Sequence, residues 1–420
     1  MRALSEESTA EIELSIIIPT HKRSRQLRAC IESLLEQEGL SERLELIVVV
    51  DGADPETEGL VGSLELPFPL RVVVQDHARQ AAARNRGAEE ARGRYVLFLD
   101  DDVVAECQLV SAHIDVLRAG DHIIGIGRID KVLSQRAPRW SRSRQTVWRD
   151  HYDRLAAGRE PRFSDTYGGN LSLPRRDFLA AGGFALDLTP EEDVEFGYRL
   201  WHAGMTFVFV ADAVAREGDR DTLERFVADS RRRGVVGVTL YERHPGLLPH
   251  LRLGGAGELP RRWIAFRRFA LAFRLPPRFL ALGAKLAQTE TFAGRWLSFL
   301  YSYCYSRGVR DTADGDCASC SATITWFRSC TSRPSSANGV ATTAFPAESA
   351  SRTFTRMPPP ERTGAATTAA ASFASALVEL LEDRDRRVSI ARAARVWAEA
   401  NLDLDRCVRE YEHLYEEVVR

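Results

Sequence analysis

The stretch Tyr95-Val-Leu-Phe-Leu-Asp-Asp-Asp102 decides how this chain is read. Five apolar residues in a row, too few for a helix, describe a strand buried on both faces. Three carboxylates follow at once, and neighbouring negative charges repel unless a cation offsets them. Hard oxygen donors in that pattern select Mg2+ or Mn2+, ions that commonly hold phosphate oxygens as well. Standing alone, the cluster could equally be a solvated acidic turn. Its place at a strand end, beside other loop residues of the same character, favours the metal.

Upstream the same architecture repeats. Leu14 to Ile18 runs into Pro19-Thr20-His21, Leu44 to Val50 into Asp51-Gly52, and Leu70 to Val74 is a third short apolar run. Between them, Ser24 is placed to cap a helix whose apolar face is Leu27, Ile31, Leu34 and Leu35, and Gln80 to Ala91 reads as helix. Strands alternating with helices predict an α/β domain with a mostly parallel sheet flanked by helices. Ligands of such sheets bind beyond the carboxyl ends of the strands. That rule gathers Pro19, Thr20, Asp51 and Asp100 to Asp102 on one edge. Asp51 could accept from a nucleobase N–H or a ribose hydroxyl, although Asp-Gly alone reads as a turn. Arg84, in Ala83-Arg84-Asn85-Arg86-Gly87, could meet base or phosphate, or be a solvated helical arginine.

Downstream, Ile123 to Ile129 predicts a strand, and Arg136 to Asp153, rich in Arg and Trp, an exposed loop or lid. Tyr167-Gly168-Gly169-Asn170-Leu171-Ser172 predicts a turn into a short strand. Thr189 and Glu192 have capping-box spacing, with Pro190 at the first helical position. Asp193 has no such structural explanation. A carboxylate near a helix N-terminus is expected to have a depressed pKa and to stay ionised, fit to act as a general base toward a hydroxyl.

The chain has 420 residues, a formal net charge of −2 and 44% hydrophobic residues, which together exclude global disorder and a generally basic nucleic-acid binder. It holds no run of about 18 uncharged apolar residues, and its acidic start (Met1 to Glu13) lacks a signal core, so a cytoplasmic protein is expected. Residues 226–310 predict an arginine-rich helical extension of a 12–225 catalytic domain. Within it, 263–282 reads as a helix pair packed on that domain or as an amphipathic segment on the inner face of an anionic membrane. Residues 311–375 predict a low-complexity linker: 316–375 holds 20 Ser or Thr against three acidic and five basic residues, a shift that a changed reading frame would also produce. Amphipathic helix returns over 376–420.

Taken together, these residues resemble the family 2 glycosyltransferases of GT-A fold. The resemblance rests on Ser15-Ile-Ile-Ile-Pro-Thr-His-Lys-Arg23, Val50-Asp51-Gly52, Ala83 to Gly87 and Leu99 to Asp102, then Gly168 to Ser172, Gly182-Gly183-Phe184 and Glu192-Asp193-Val194-Glu195, in the family's order. It implies transfer of a sugar from a nucleoside-diphosphate sugar to a saccharide or lipid-linked hydroxyl acceptor, with inversion, in cell-surface glycan or glycolipid synthesis. It implies that Pro19, Thr20, Asp51 and Arg84 lie around the base and Asp100 at the ribose. Asp102 with Asp100 would hold Mg2+ or Mn2+, Asp101 would stand beside them, and Gly169, Asn170 and Glu192 would meet substrate. Asp193 would be the catalytic base. Two departures stand out. Val214-Ala215-Arg216-Glu217 occupies the place where some members supply a histidine metal ligand, and Arg216 there could instead offset phosphate charge. The Q-x-x-R-W motif of processive synthases is replaced by Tyr198-Arg199-Leu200-Trp201, so transfer of a single sugar is expected. The helices from 376 onward faintly resemble the tail of a family 4 (GT-B) glycosyltransferase. Four alternatives compete. A dinucleotide-dependent oxidoreductase is disfavoured because no G-x-G-x-x-G follows the first strand. A nucleotidyltransferase is disfavoured by the absence of glycine in 16–23. A non-catalytic sugar-nucleotide-binding protein would keep the site and lack turnover. A zinc or redox module would be built on Cys304, Cys317, Cys320 and Cys330.

Overall fold

A computed structural model describes residues 12–38, 43–218, 221–254, 259–272 and 274–314. The expectations for 315–420, including Cys317, Cys320, Cys330 and the family 4 resemblance, lie outside the described residues. Eight strands form one sheet: β1 (Leu14–Thr20), β2 (Leu44–Asp51), β3 (Leu70–Gln75), β4 (Tyr95–Leu99), β5 (Val103–Ala105), β6 (Ile123–Val132), β7 (Asn170–Pro174) and β8 (Thr206–Gly218). Their order is β3-β2-β1-β4-β7-β6-β8-β5. The pairs β1/β2, β2/β3, β1/β4 and β6/β8 are parallel, and β4/β7, β6/β7 and β5/β8 antiparallel, so the sheet is mostly parallel as expected.

The unbroken apolar runs are explained by helices on both faces. Alternate residues Leu14, Ile16 and Ile18 pack with Leu27, Ile31 and Leu34 of α1 (Ser24–Leu35). Ile17, Val49 and Phe98 face the opposite way, against Ala81, Ala83 and Ala88 of α3 (Arg79–Glu90). Between them in the chain comes α2 (Pro55–Gly62). Two details of α1 differ from expectation. Arg23, not Ser24, occupies the N-cap, because the Ser24 hydroxyl donates to Glu56 instead. Leu35 is exposed, the apolar face ending at Leu34.

Beyond β5, α4 (Leu109–Arg118) leads into β6. The expected loop over Arg136 to Asp153 is instead an 18-residue helix, α5 (Arg139–Ala156). Its buried face is a narrow line of Trp140, Tyr152 and Leu155 that the surrounding arginines hide from a composition reading. After β7 come α6 (Arg175–Ala180) and α7 (Glu192–His202). The helical extension comprises α8 (Leu223–Arg243), α9 (Arg261–Ala272), α10 (Pro277–Lys285) and α11 (Glu290–Asp314). It shares cores with the sheet domain: Trp140 clusters with Leu223, Ala284 and Phe299, and Phe163, Leu188 and Tyr198 cluster with Val236, Leu240 and Tyr305. Helices α8 and α11 cross where Gly234 and Gly308 face each other's backbone, a closeness that a Cβ would forbid. Among the described residues no helix is long and apolar enough to cross a membrane.

Phe98 joins sheet and site, fully buried, with its ring 5.0 Å from Phe178 and 5.4 Å from Phe184. Phe98→Ala should cost about 3–5 kcal/mol of unfolding free energy, read as a lower urea midpoint.

Candidate active site

The acidic cluster sits where β4 stops. Leu99 is the last residue of β4 paired with β7, and the chain then turns through Asp101 and Asp102 into β5. The three side chains part company. Asp101 is buried, accepting from the Thr20 hydroxyl at 2.8 Å and from Arg23 at 2.9 Å. Burial lifts its carboxyl to about 6, against the pull of Arg23. Asp102 is half-buried and accepts from the same Arg23 nitrogen at 3.0 Å. Asp100 accepts from Gln80 at 2.6 Å and from Arg84 at 2.7 Å. The repulsion that the sequence argument assigned to a cation alone is therefore partly met by two arginines. Asp101, turned inward onto Thr20 and Arg23, leaves Asp100 and Asp102 as the pair at the edge. Their hard oxygen donors suit Mg2+ or Mn2+. Glu217 of β8, opposite Val103, adds to this negative field. It pairs with Lys131 at 2.5 Å, and burial, helped by the charges of Asp102 and Asp100, holds its carboxyl above the usual range. Arg216 does not serve as expected. Successive side chains alternate along a strand, so it points the other way, 59% exposed and paired with Glu106.

Arg84 binds the site together. Its side chain is only 4% exposed, which rules out the solvated-helix reading. One terminal nitrogen reaches Asp100 at 2.7 Å and the other lies 3.8 Å from Glu192. The guanidinium lies over the ring of Phe184, whose backbone N–H and C=O are both held by the side chain of the next residue, Asn85. Gly168 and Gly169 make this packing fit: a Cβ would come 2.7 Å from Arg84 at the first and 2.5 Å from Asp100 at the second. Arg84 Nε and Glu192 Oε2 are buried with no hydrogen-bond partner among the described residues, so both retain capacity for a ligand.

Helix α7 begins differently from expectation. Its N-cap is Glu191, without a side-chain cap bond, so Pro190 precedes the helix and the Thr189/Glu192 box does not form. Glu192 turns toward Arg84 instead. Asp193 also departs from the reading of a depressed pKa. Burial, reinforced by Glu192 and Glu191, pushes its carboxyl up to about 7, against Arg233 and Arg84. Desolvation here outweighs a helix-terminus effect of about 0.3–1 kcal/mol. Arg233, on α8, pairs with Glu191 at 2.5 Å. Neither it nor Arg23 or Gln80 was given a role from sequence: Arg23 only closes the Ser15–Arg23 run, Gln80 only opens a predicted helix, and Arg233 is one of many arginines.

Other predicted contacts are occupied by the scaffold. Asn170 is engaged by the scaffold: its amide donates to the carbonyls of Arg128 and Ala213, and its oxygen pairs with the buried His113, so it ties strands together. Pro19 and Thr20 are buried at the end of β1, the Thr20 hydroxyl committed to Asp101. Asp51, 3% exposed, accepts from Gln75 and from the amides of Ala78 and Arg79. Burial opposes its ionisation, but these donors outweigh it and hold the carboxyl below the usual range.

Arg84→Gln should cost about 3 kcal/mol of stability in urea unfolding, because it leaves Asp100 and Glu192 without their shared cation. Arg86→Gln on the exposed side of the same helix should cost under about 1 kcal/mol.

Residues 15–180 match the family model described as Glycosyl transferase family 2. Chondroitin synthase of Escherichia coli is 28% identical over 235 residues, covering 48% of this chain and 34% of that protein. Validoxylamine A glucosyltransferase of Streptomyces hygroscopicus subsp. jinggangensis is 26% identical over 275 residues, covering 57% of this chain and 62% of that protein. The chain thus spans only a third to under two thirds of these curated relatives. The mannosyltransferase PcManGT from Pyrobaculum calidifontis, solved with GDP-Man and Mn2+, shares the fold at a TM-score of 0.50 and 19% identity, covering 71% of this chain and 87% of that one. Residues 15–180 thus carry the glycosyl transferase family 2 match, and the sheet domain that holds them shares its fold with a solved mannosyltransferase.

Proposed function

We propose that this protein transfers a single sugar from a nucleoside-diphosphate sugar to a hydroxyl of a saccharide or lipid-linked acceptor, with inversion, in cell-surface glycan or glycolipid synthesis. The observation that carries the proposal is the reach of Arg84, which touches Asp100 at the strand edge and faces Glu192 at the start of α7. One buried side chain thereby sets a carboxylate suited to a metal diphosphate beside Glu192, the neighbour in sequence of Asp193, whose carboxyl also feels the Arg84 charge.

Asp193 is the base. With its carboxyl near 7 it can take a proton from a hydroxyl without being so weak a base that transfer stalls. The acceptor oxygen bonds to the anomeric carbon, the bond from that carbon to the diphosphate oxygen breaks, and the proton passes to Asp193. Asp100 and Asp102 would hold Mg2+ or Mn2+, which would supply positive charge against the departing nucleoside diphosphate. Asp100 also lies at the ribose and Asp51 at the base, where a nucleobase would exchange for one of the carboxylate's present donors. Gly169 and Glu192 line the path between donor and acceptor. We assign the enzyme to the cytoplasm. Its 263–282 segment would touch the inner face of the membrane, where Phe269, Phe279 and Leu282 are exposed among Arg268, Arg274 and Arg278.

The test is a panel of nucleoside-diphosphate sugars with Mn2+ or Mg2+, following release of the nucleoside diphosphate. One donor should turn over, a chelator should abolish turnover, and either ion should restore it. Asp193→Asn should reduce turnover by about 10²–10⁴-fold while nucleotide binding persists; undiminished turnover would overturn the assignment. Because the base must be ionised, wild-type turnover should rise with pH through about 7. A flat profile across that range would place the proton elsewhere.

A further inference from the structure

Three neighbouring parallel strands each deliver one metal-binding side chain to the same end of the sheet. β1 ends at Thr20 and presents His21, β2 ends at Asp51, and β3 ends at Gln75 and presents His77 two residues on. One ring nitrogen of each histidine and one Asp51 oxygen lie within 4.8 Å of one another. The imidazole rings are 4.4 Å apart, and His77 Nδ1 is 2.9 Å from Asp51 Oδ2. Neither the fold nor the proposed transfer calls for two adjacent imidazoles here.

The surroundings are those of a prepared ligand set. Asp51 is oriented by Gln75 and by the consecutive amides of Ala78 and Arg79, which the turn aims at it by carrying Arg79 to a φ of 73°. Outer hydrogen bonds of this kind fix the direction of a ligating carboxylate. His21 Nδ1 contacts the main-chain oxygen of Asp51 at 2.5 Å, the usual second partner of a ligating imidazole. Gly52, at a φ of 96°, adopts a backbone conformation that L side chains rarely take, and a Cβ there would crowd the Cβ of His77 at 3.3 Å. Both rings are exposed, so an ion can enter from solvent and the rings can turn to meet it. Ligation at about 2.1 Å per bond requires the three atoms to draw in by about 1 Å, within reach of rotating exposed side chains.

We infer that His21, Asp51 and His77 form a binding site for a borderline transition ion, Zn2+ in particular, distinct from the carboxylate pair Asp100 and Asp102 and exclusive of a nucleobase at Asp51, with which the ion would compete. Two imidazoles and one carboxylate prefer Zn2+, Co2+ or Ni2+ to Mg2+, whereas an all-carboxylate set does the reverse.

The experiment uses the full chain, stripped of metal and titrated with zinc chloride by calorimetry in excess Mg2+. The wild type should bind one more equivalent of Zn2+ than the His21→Ala/His77→Ala variant, and each single variant should weaken that equivalent at least tenfold. Asp102→Asn should leave it unchanged. Because the chain also holds seven cysteines, Co2+ loading provides a second readout: the equivalent lost in the double variant should show no thiolate charge-transfer absorption. Equal Zn2+ stoichiometry and affinity in wild type and double variant, loss of the equivalent in Asp102→Asn, or a thiolate signature on it would overturn the site. His21→Asn and His77→Asn, which keep a polar group of similar reach, should lose the ion in the same way.

Discussion

The burial of one guanidinium organises this domain. Arg84 leaves α3 over the ring of Phe184 and is held between a strand-end carboxylate and a helix-start carboxylate. A charge this deep is tolerated only when opposite charges and hydrogen bonds surround it, and their removal would cost more than the pairing gains. Much of the nearby sequence follows from that demand. The glycines at 168 and 169 let a loop close over Arg84 and Asp100, and Asn85 grips the backbone that carries Phe184. Motifs that look separate along the chain are the parts of one packing arrangement.

The same burial shapes the acid chemistry. Four carboxylates of the site respond differently because their surroundings differ. Asp51, under a cradle of amides, is held ionised, while Asp101, Glu192 and Asp193 are pushed toward protonation by desolvation. Arg233 opposes the rise at Asp193, and it comes from α8, outside the sheet. The helical extension thus bears on the electrostatics of the proposed base as well as enlarging the core.

Much of the fold was legible because its cause is local. Unbroken apolar runs such as Leu44 to Val50 need two covered faces, and a βα alternation covers them. The α5 helix was not legible, since a buried face a few residues wide is lost among arginines. The site was legible in its members and less so in their roles. Asp100, Arg84 and Glu192 do converge, while Asn170 ties strands of the sheet and Arg216 pairs with Glu106. Residue type announces which chemistry is available. It does not announce which partner a side chain has already taken.

The sequence by itself determined the α/β architecture, the edge at which its loops gather and the oxygen-rich character of that edge, because periodicity and strand-end chemistry are written along the chain. Only the tertiary structure decided which of three adjacent aspartates turns inward, that Glu192 serves Arg84 in place of a helix cap, and that Asp193 titrates near neutrality. It also brought His21, Asp51 and His77, each at the end of a different strand, into one cluster. Those outcomes depend on distance and desolvation between residues far apart in the chain, which no local pattern encodes.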